Sequence, residues 1–135
     1  MTATDVSPRV INELADRLFA AIEQSDESTL DQLFSDDIAV WRSGSRRDDD
    51  KQRALRVLHW FIGVTTERRY EILDRQVFGG GFVQQHVLHA TGHSQASIAL
   101  RVCIVIKLDV GASNQALISR IDEYFDPAEI APLMS

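Results

Sequence analysis

The sequence is short of three things that mark specialised proteins: cysteines, clustered basic residues and long apolar runs. Cys103 is its one cysteine, so no disulfide within the chain is available and a reducing compartment is expected. No apolar run approaches the roughly 20 residues of a membrane helix, and the polar residues 1–8 lack the order of a signal peptide. We therefore expect a soluble, cytoplasmic protein with no membrane partner.

Basic residues are too few and too dispersed for nucleic-acid binding. The 135 residues include 14 Lys and Arg against 20 Asp and Glu, for a net charge of −6. Only Arg46-Arg47 and Arg68-Arg69 form basic pairs, and binding phosphates needs a cluster or stripe of such side chains. What remains is an ordinary apolar fraction of 44%, enough for one core in a single domain spanning residues 1–135.

Helical periodicity dominates the first half of the chain. Ser7-Pro8 is typical of a helix start, and apolar residues then recur at helical spacing until about Gln24-Ser25. Asp26 is placed to cap a short second helix, and a third helix is predicted from about Lys51 to Ile62, with Gly63 as its stop. A short strand, Ile38–Trp41, is predicted before it.

Strand periodicity dominates the second half. Alternation predicts strands at Tyr70–Val77, Phe82–Thr91 and Ile98–Leu108, and a last strand over Leu117–Pro127 that stops at the proline. The even positions of the third strand are expected to face the core. Short connections between them favour antiparallel pairing. The Gly79-Gly80-Gly81 run lies between two strands, so it predicts a hairpin or bulged connection and not a phosphate loop. Helices first and strands later make an α+β fold, in which a curled sheet closed by helices leaves a cone.

Two groups of residues resemble metal ligands, and we expect neither to bind metal. Asp48, Asp49 and Asp50 precede the third helix, where acids favour the positive end of the helix dipole, and three successive side chains do not converge on one ion. His86 and His89 have opposite parity on their strand, and His93 follows in a turn. No cofactor is predicted either.

The order of elements and several short segments resemble the nuclear transport factor 2-like (NTF2-like) superfamily, and within it the small SnoaL-like proteins. The matching segments are Leu33–Asp37, Val40-Trp41, Val83–Leu88 and Arg120–Pro127. The resemblance implies a cone-shaped α+β fold, with a curved antiparallel or mixed sheet and the N-terminal helices on its concave face. It leaves the activity open, because this superfamily includes isomerases, hydrolases, cyclases, dehydratases and non-enzymatic binders.

Residue-by-residue comparison argues against two of the superfamily's active sites. At the positions that match the catalytic residues of ketosteroid isomerases, this chain has Leu18, Arg42 and Ile104. At the positions that match the catalytic residues of the limonene-epoxide-hydrolase group, this chain keeps one acid, Glu123. The arginine and second acid of that group match His86 and Leu88, and its tyrosine and asparagine match Trp41 and Ser43. The polyketide cyclases use an acid and a histidine for proton transfer, and Glu123 and His86 supply those residue types.

Glu123 and His86 are therefore the predicted catalytic pair. Glu123 shares a strand face with Ile121 and Phe125, so it should point into the cone, where desolvation would raise its pKa toward neutral pH and suit acid–base work. The alternative is that a partner satisfies Glu123 and that it is purely structural. The parity of His86 against His89 is open from the pattern alone, and the resemblance favours His86 inward.

The predicted function is a pocket for a small hydrophobic metabolite, with acid–base catalysis of an isomerase, cyclase, dehydratase or hydrolase type. The alternative is a non-catalytic binding or assembly module. A flat apolar ligand is favoured, and the residues expected to bind it are Trp41, Arg42, Trp60, Phe61, Leu88, Ile104 and Phe125. Val105, Cys103 and Tyr124 on the outer sheet face suggest a homodimer.

Overall fold

The computed structural model describes residues 6–111 and 113–134. Two helices, a strand, a third helix and four further strands follow one another, as the sequence predicts. The elements are α1 Pro8–Glu23, α2 Glu27–Leu33, β1 Phe34–Arg42, α3 Lys51–Val64, β2 Thr65–Phe78, β3 Gly81–Gly92, β4 Ser97–Val110, β5 Ala116–Tyr124 and a C-terminal 3₁₀ helix, Pro127–Met134. The predicted domain of residues 1–135 also includes residues 1–5, 112 and 135, which lie outside the described part.

The strands form one mixed sheet in the order β1-β5-β4-β3-β2. The last four strands are joined by short turns and pair antiparallel, whereas β1 pairs with β5 in parallel. Register shifts interrupt β1, β2 and the pairing of β4 with β5. Such bulges bend strands and increase their twist, so the sheet has a hollow side, against which α1 packs on β2 and α3 packs on β1. The predicted α+β cone is confirmed.

The alternation read from β4 is confirmed by burial. Its even positions Leu100, Val102, Ile104, Ile106 and Leu108 are all at most 5% exposed, while Arg101 and Lys107 face outward. They belong to the same apolar core as the buried face of α1, which is formed by Ile11, Leu14, Leu18 and Ile22 among others. Removing this apolar area from water is the main favourable contribution to folding.

The three helix starts have the caps that the sequence predicts. The side-chain oxygens of Ser7, Asp26 and Asp50 each accept a hydrogen bond from the backbone N–H three residues later, which satisfies an otherwise unpaired donor. Of the three consecutive acids, only Asp50 caps α3. The Asp48 carboxylate instead pairs with Arg120, at 2.8 Å, and the Asp49 carboxylate with Arg42, at 3.1 Å.

The predicted stop of α3 at Gly63 is wrong. The helix continues through Gly63 to Val64. It ends because Thr65 is extended and starts β2, while its backbone N–H still donates to the Ile62 carbonyl and its hydroxyl donates to the Phe61 carbonyl, at 2.8 Å. The threonine side chain thus satisfies the end of the helix, and no left-handed glycine is needed there.

Arg68 connects three of these elements from a buried position, with 7% of its surface exposed. Its Nε donates to the Ile22 carbonyl at the end of α1, at 2.7 Å, and its Nη1 to the Thr65 hydroxyl, at 2.6 Å. Nη1 also reaches the Ile62 carbonyl in the last turn of α3, and Nη2 donates to the Ser25 hydroxyl in the turn before α2. A cation at two helix C-termini is electrostatically favourable.

The glycine run between β2 and β3 is the hairpin connection that the sequence predicts, and its members are not equivalent. A Cβ on Gly81 would lie 1.9 Å from the Ile106 carbonyl oxygen, whereas a Cβ on Gly79 would meet nothing within 4 Å. We expect Gly81→Ala to lower the free energy of unfolding by about 2 kcal/mol, because the β3–β4 ladder must shift. Gly79→Ala should change it by less than about 0.5 kcal/mol. Urea unfolding measures both, and equal effects would contradict the assignment.

Candidate active site

An apolar cavity of about 120 Å³ lies between α1, α3 and the hollow face of the sheet. Seven predicted site residues line it: Arg42, Trp60, Phe61, Leu88, Ile104, Glu123 and Phe125. Trp60, 41% exposed, marks the side where the wall meets solvent. The volume is below the roughly 300 Å³ of a typical ligand pocket, but it is close to the roughly 150 Å³ of an apolar cavity that binds benzene. The space therefore suits a small, compact ligand.

Glu123 supplies the carboxylate of this cavity. It lies on β5 with Ile121 and Phe125 on the same side, as the period-two pattern predicts, and 26% of its side chain is accessible. Burial raises the pKa of the Glu123 carboxyl, and the positive charge of Arg42 opposes the rise. The Arg42 Nε lies 3.5 Å from the Glu123 Oε1, and no hydrogen bond from another described side chain reaches this carboxylate.

The loop after β1 holds both charged groups in place. Arg42 Nη1 donates to the Asp49 carboxylate, at 3.1 Å. The Ser43 backbone N–H donates to the Glu123 carbonyl, at 2.9 Å, and the Ser43 hydroxyl accepts from the Phe125 N–H, at 3.1 Å. Through these two hydrogen bonds Ser43 holds the end of β5 against the end of β1. The backbone that carries the Glu123 side chain is thereby fixed in position.

Tyr70 is a site residue that the sequence analysis missed. It lies on β2, lines the cavity, and its ring centroid is 4.8 Å from that of Phe19 and 5.0 Å from that of His86. Burial raises the pKa of the Tyr70 phenol, and the charges of Glu123 and Glu23 raise it further, so the group is a neutral donor. Its inward position follows from its pairing with Leu88, a long-range register that the sequence pattern does not give.

His86 faces inward, as the resemblance implied, but it does not line the cavity with Glu123. It is 1% exposed, with its ring against Tyr70 and Phe19. Register explains the separation. Glu123 pairs with Ile104, and Ile104 pairs with Gln84, so His86 is two strands away and one inward position further along. His89 points outward, where its Nε2 lies 2.8 Å from the Glu71 carboxylate.

A chain of polar groups lies behind His86. Asp16 on α1 accepts from Arg75 Nη1, at 2.9 Å, and Arg75 Nε donates to the Gln84 Oε1, at 2.8 Å. The Gln84 amide nitrogen is then 2.9 Å from His86 Nδ1, so Nδ1 accepts and Nε2 carries the proton. That buried Nε2 has no hydrogen-bond partner among the described residues. Burial and the Arg75 charge lower the pKa of His86 to about 4.

Trp41, the other predicted site residue outside the cavity, lies on the outer face of β1. Val40 is buried and Arg42 reaches the cavity, so Trp41 between them points the other way. Its Nε1 donates to the Ser45 carbonyl, at 3.0 Å, and its ring centroid is 5.1 Å from that of Tyr124. The four residues predicted for this strand were too few to define which of its side chains face inward.

No protein-family model and no curated protein sequence matches the chain. Solved structures do match. A protein classed as a SnoaL-like polyketide cyclase, from Shewanella denitrificans, superposes with a TM-score of 0.77 at 16% identity, over 95% of this chain and 98% of that one. An LEH-like epoxide hydrolase from M. tuberculosis gives a TM-score of 0.72 at 19% identity, over 93% and 89%. A protein classed as an NTF2-like dehydratase, from Streptomyces avermitilis, gives 0.76 at 11% identity, over 87% and 95%.

These similarities establish the architecture. The chain has the NTF2-like fold, in the form seen in SnoaL-like proteins, as the sequence resemblance predicts. At these identities the match describes the fold alone, and the neighbours are named for different reactions. No helix in the described part of the chain is both long and apolar enough to cross a bilayer.

Proposed function

We propose that the protein binds a small, largely apolar molecule in this cavity and that Glu123 acts on it as a general acid–base group. The observation that carries the proposal is a carboxylate set among the apolar walls of the cavity, where burial raises its pKa. A carboxylate with a raised pKa is a stronger base, and it exchanges protons closer to neutral pH. The positive charge of Arg42, whose Nε is 3.5 Å from the carboxylate, opposes the rise in the pKa of Glu123.

The chemistry that suits one such carboxylate is proton transfer to or from carbon or oxygen of a bound metabolite. The reactions named for the structural neighbours, cyclisation, epoxide hydrolysis and dehydration, all need a positioned acid or base. Because His86 is separated from Glu123 and neutral at pH 7, we assign proton transfer to Glu123 alone. His86 supports the Tyr70 ring, against which it packs.

Replacing Glu123 by glutamine tests this proposal. Glu123→Gln keeps the shape of the side chain and removes its basic oxygen, so we expect turnover to fall by at least about 100-fold. The assay is solvent deuterium incorporation into a panel of small cyclic and aromatic ketones, followed by NMR. The matched control is Asp122→Asn, on the outer side of the same strand, where Asp122 pairs with Arg120. Equal rates in Glu123→Gln and wild type would exclude Glu123 as the base.

Non-catalytic binding is the second candidate function, and the ion pair favours it. Arg42 already lies beside Glu123, so the carboxylate has a structural partner, and the cavity is small. If the protein only binds its ligand, no ketone in the panel incorporates solvent deuterium faster when the protein is present. Glu123→Gln then changes only ligand affinity or thermal stability, and not any rate.

We also propose that the chain is a single cytoplasmic domain that forms a homodimer through its outer sheet face. Tyr124 is 49% exposed there, beside the ring of Trp41, and Cys103 and Val105 on the neighbouring strand are half-buried. An exposed apolar group of this kind is typical of an interface. Sedimentation equilibrium measures the mass of the species in solution.

A further inference from the structure

Helix α3 is basic, although the chain as a whole is acidic. Its residues, Lys51–Val64, include Lys51, Arg53 and Arg56 and no Asp or Glu, whereas the chain has a net charge of −6. Lys51 has partners inside the protein, because its Nζ donates to the Phe34 carbonyl, at 3.1 Å, and pairs with Asp36, at 3.2 Å. Arg53 lies in the first turn, where a cation opposes the helix dipole, so the dipole does not explain its presence.

Arg53 and Arg56 are weakly engaged by the rest of the protein, and both are exposed. The Arg53 Nε lies 3.8 Å from the Asp49 carboxylate, which already accepts from Arg42 Nη1, at 3.1 Å. Arg56 makes no ion pair or hydrogen bond with any residue in the described part of the chain. Two guanidinium groups on one helix are therefore accessible to an anion from solution.

An open groove of about 310 Å³ runs along this side of α3, lined by Arg53, Arg56, Val57 and Trp60. Their spacing of three, four and seven residues is that of one helix face. Val57 and Trp60 also line the apolar cavity, so the groove and the cavity adjoin at these two side chains. A ligand that fills the cavity and extends past the half-exposed indole of Trp60 reaches the two arginines.

We propose that the ligand of the cavity carries an oxyanion, a carboxylate or a phosphate, which binds Arg53 and Arg56 in this groove. The proposal rests on the proposed function and narrows its ligand to a compact apolar group with an anionic tail. The cavity, at about 120 Å³, has room for the apolar group and already contains the Glu123 carboxylate, beside which a second buried anion is unfavourable. In the groove, a guanidinium can bind a carboxylate or phosphate through two parallel hydrogen bonds.

Two probes of equal heavy-atom count test the proposal: hydrocinnamate, which has a carboxylate, and hydrocinnamamide, which is its neutral amide. Affinities are measured by NMR titration of wild type and of the double variant Arg53→Gln with Arg56→Gln, in which glutamine keeps the helix propensity. We expect wild type to prefer the carboxylate about fivefold, since exposed ion pairs contribute modestly. The double variant should lose this preference and bind the amide within about twofold of wild type.

Phenethyl phosphate, which has the same tether, is the second anion, and the tighter of the two anions identifies the tail. Longer homologues of all three probes cover the tether length. Equal affinities of wild type for acid, phosphate and amide throughout the series would overturn the proposal. Added salt should weaken binding of the anions and leave that of the amide unchanged.

The matched control removes the same two charges elsewhere. Arg9 and Arg17 are exposed on α1 and line neither the cavity nor the groove, so Arg9→Gln with Arg17→Gln should keep the preference for the anions. An equal loss in this control would show that net charge alone matters, and the assignment to Arg53 and Arg56 would be wrong.

The methyl resonances of Leu88, on the cavity wall, report whether the apolar group enters the cavity. Hydrocinnamate should shift both these methyls and the Trp60 indole N–H. A shift at Trp60 alone would mean that the anion binds without the cavity, which contradicts the proposal. If the amide and the anions shift Leu88 with equal affinity, only the anionic tail is wrong. If no probe shifts Leu88, the proposed ligand site fails as well.

Discussion

Arg68→Met should lower the free energy of unfolding by about 3 kcal/mol, since it removes buried hydrogen bonds that join three elements. The guanidinium donates to the Ile22 carbonyl of α1, to the Ser25 hydroxyl in the next turn, and to Thr65 at the start of β2. Methionine fills a similar volume but donates no hydrogen bond, and each buried acceptor that loses its donor costs about 1–3 kcal/mol. Other donors to the Ile22 carbonyl keep the estimate at the lower end.

The adjacent Arg69 provides the matched control. It has the same residue type and neighbouring position, but it is exposed on the outer face of β2, so Arg69→Met should change stability by less than about 0.5 kcal/mol. Guanidinium unfolding of both variants gives the comparison. Similar losses in the two variants would show that the positive charge of the segment matters, and not the buried hydrogen bonds of Arg68.

Periodicity made most of the fold predictable. β4 has large apolar residues at every even position from Ile98 to Leu108, with Arg101 and Lys107 between them, so its inner face was clear before its partners were known. Ser7-Pro8, Asp26 and Asp50 mark helix starts through local side-chain chemistry, which depends on a few adjacent residues alone. The end of α3 was misplaced because Thr65 satisfies its last turn, and a threonine in that role has no distinctive sequence signal.

The inward side chains of β5 were predictable from its pattern, but the grouping of residues around the cavity was not. Parity placed Glu123 and Phe125 on the inner face of β5, and the structure has them there. Whether Glu123 meets His86 depends on the register of three strands, which no single strand encodes. The same register brings Tyr70 beside His86, although the two lie in different parts of the chain. An isolated tyrosine among charged residues on an edge strand gave no reason to select it.

The adjacent acids before α3 show the same limit. As one cluster the three acids predicted an interaction with the dipole of α3, yet in the structure each of them has a different partner. Asp50 caps the helix, Asp48 binds Arg120 on β5, and Asp49 binds Arg42 beside the cavity. Local chemistry predicted the first role, because the cap and the helix are adjacent in sequence. The other two roles need partners that are far away in the chain, and one of them holds the arginine that opposes the rise in the pKa of Glu123.

Acid should destabilise the protein through His86, by about 3 kcal/mol between pH 7.5 and pH 4. The pKa of this histidine is lowered from 6.5 to about 4 by burial and by the Arg75 charge. A lowered pKa in the folded state means that the unfolded chain binds the proton first. The contribution of the neutral imidazole to the free energy of unfolding is therefore fully present above pH 6.5. It is lost as the pH falls toward 4, with about 2 kcal/mol lost by pH 5.

The contribution of His86 is isolated by subtracting the dependence of the unfolding free energy on pH in a variant that has no ionisable group at position 86. His86→Gln removes the ionisation and retains a polar side chain beside Gln84, so the wild-type minus variant difference in unfolding free energy should fall by about 3 kcal/mol over this range. The other groups near the ring, Tyr70, Arg75 and, through it, Asp16, remain in both proteins. His59→Gln, at a side chain 74% exposed, is the control for replacing a histidine by glutamine at the surface. A His86 resonance that titrates near pH 6.5 would refute the buried, neutral imidazole on which the position of the Tyr70 ring depends.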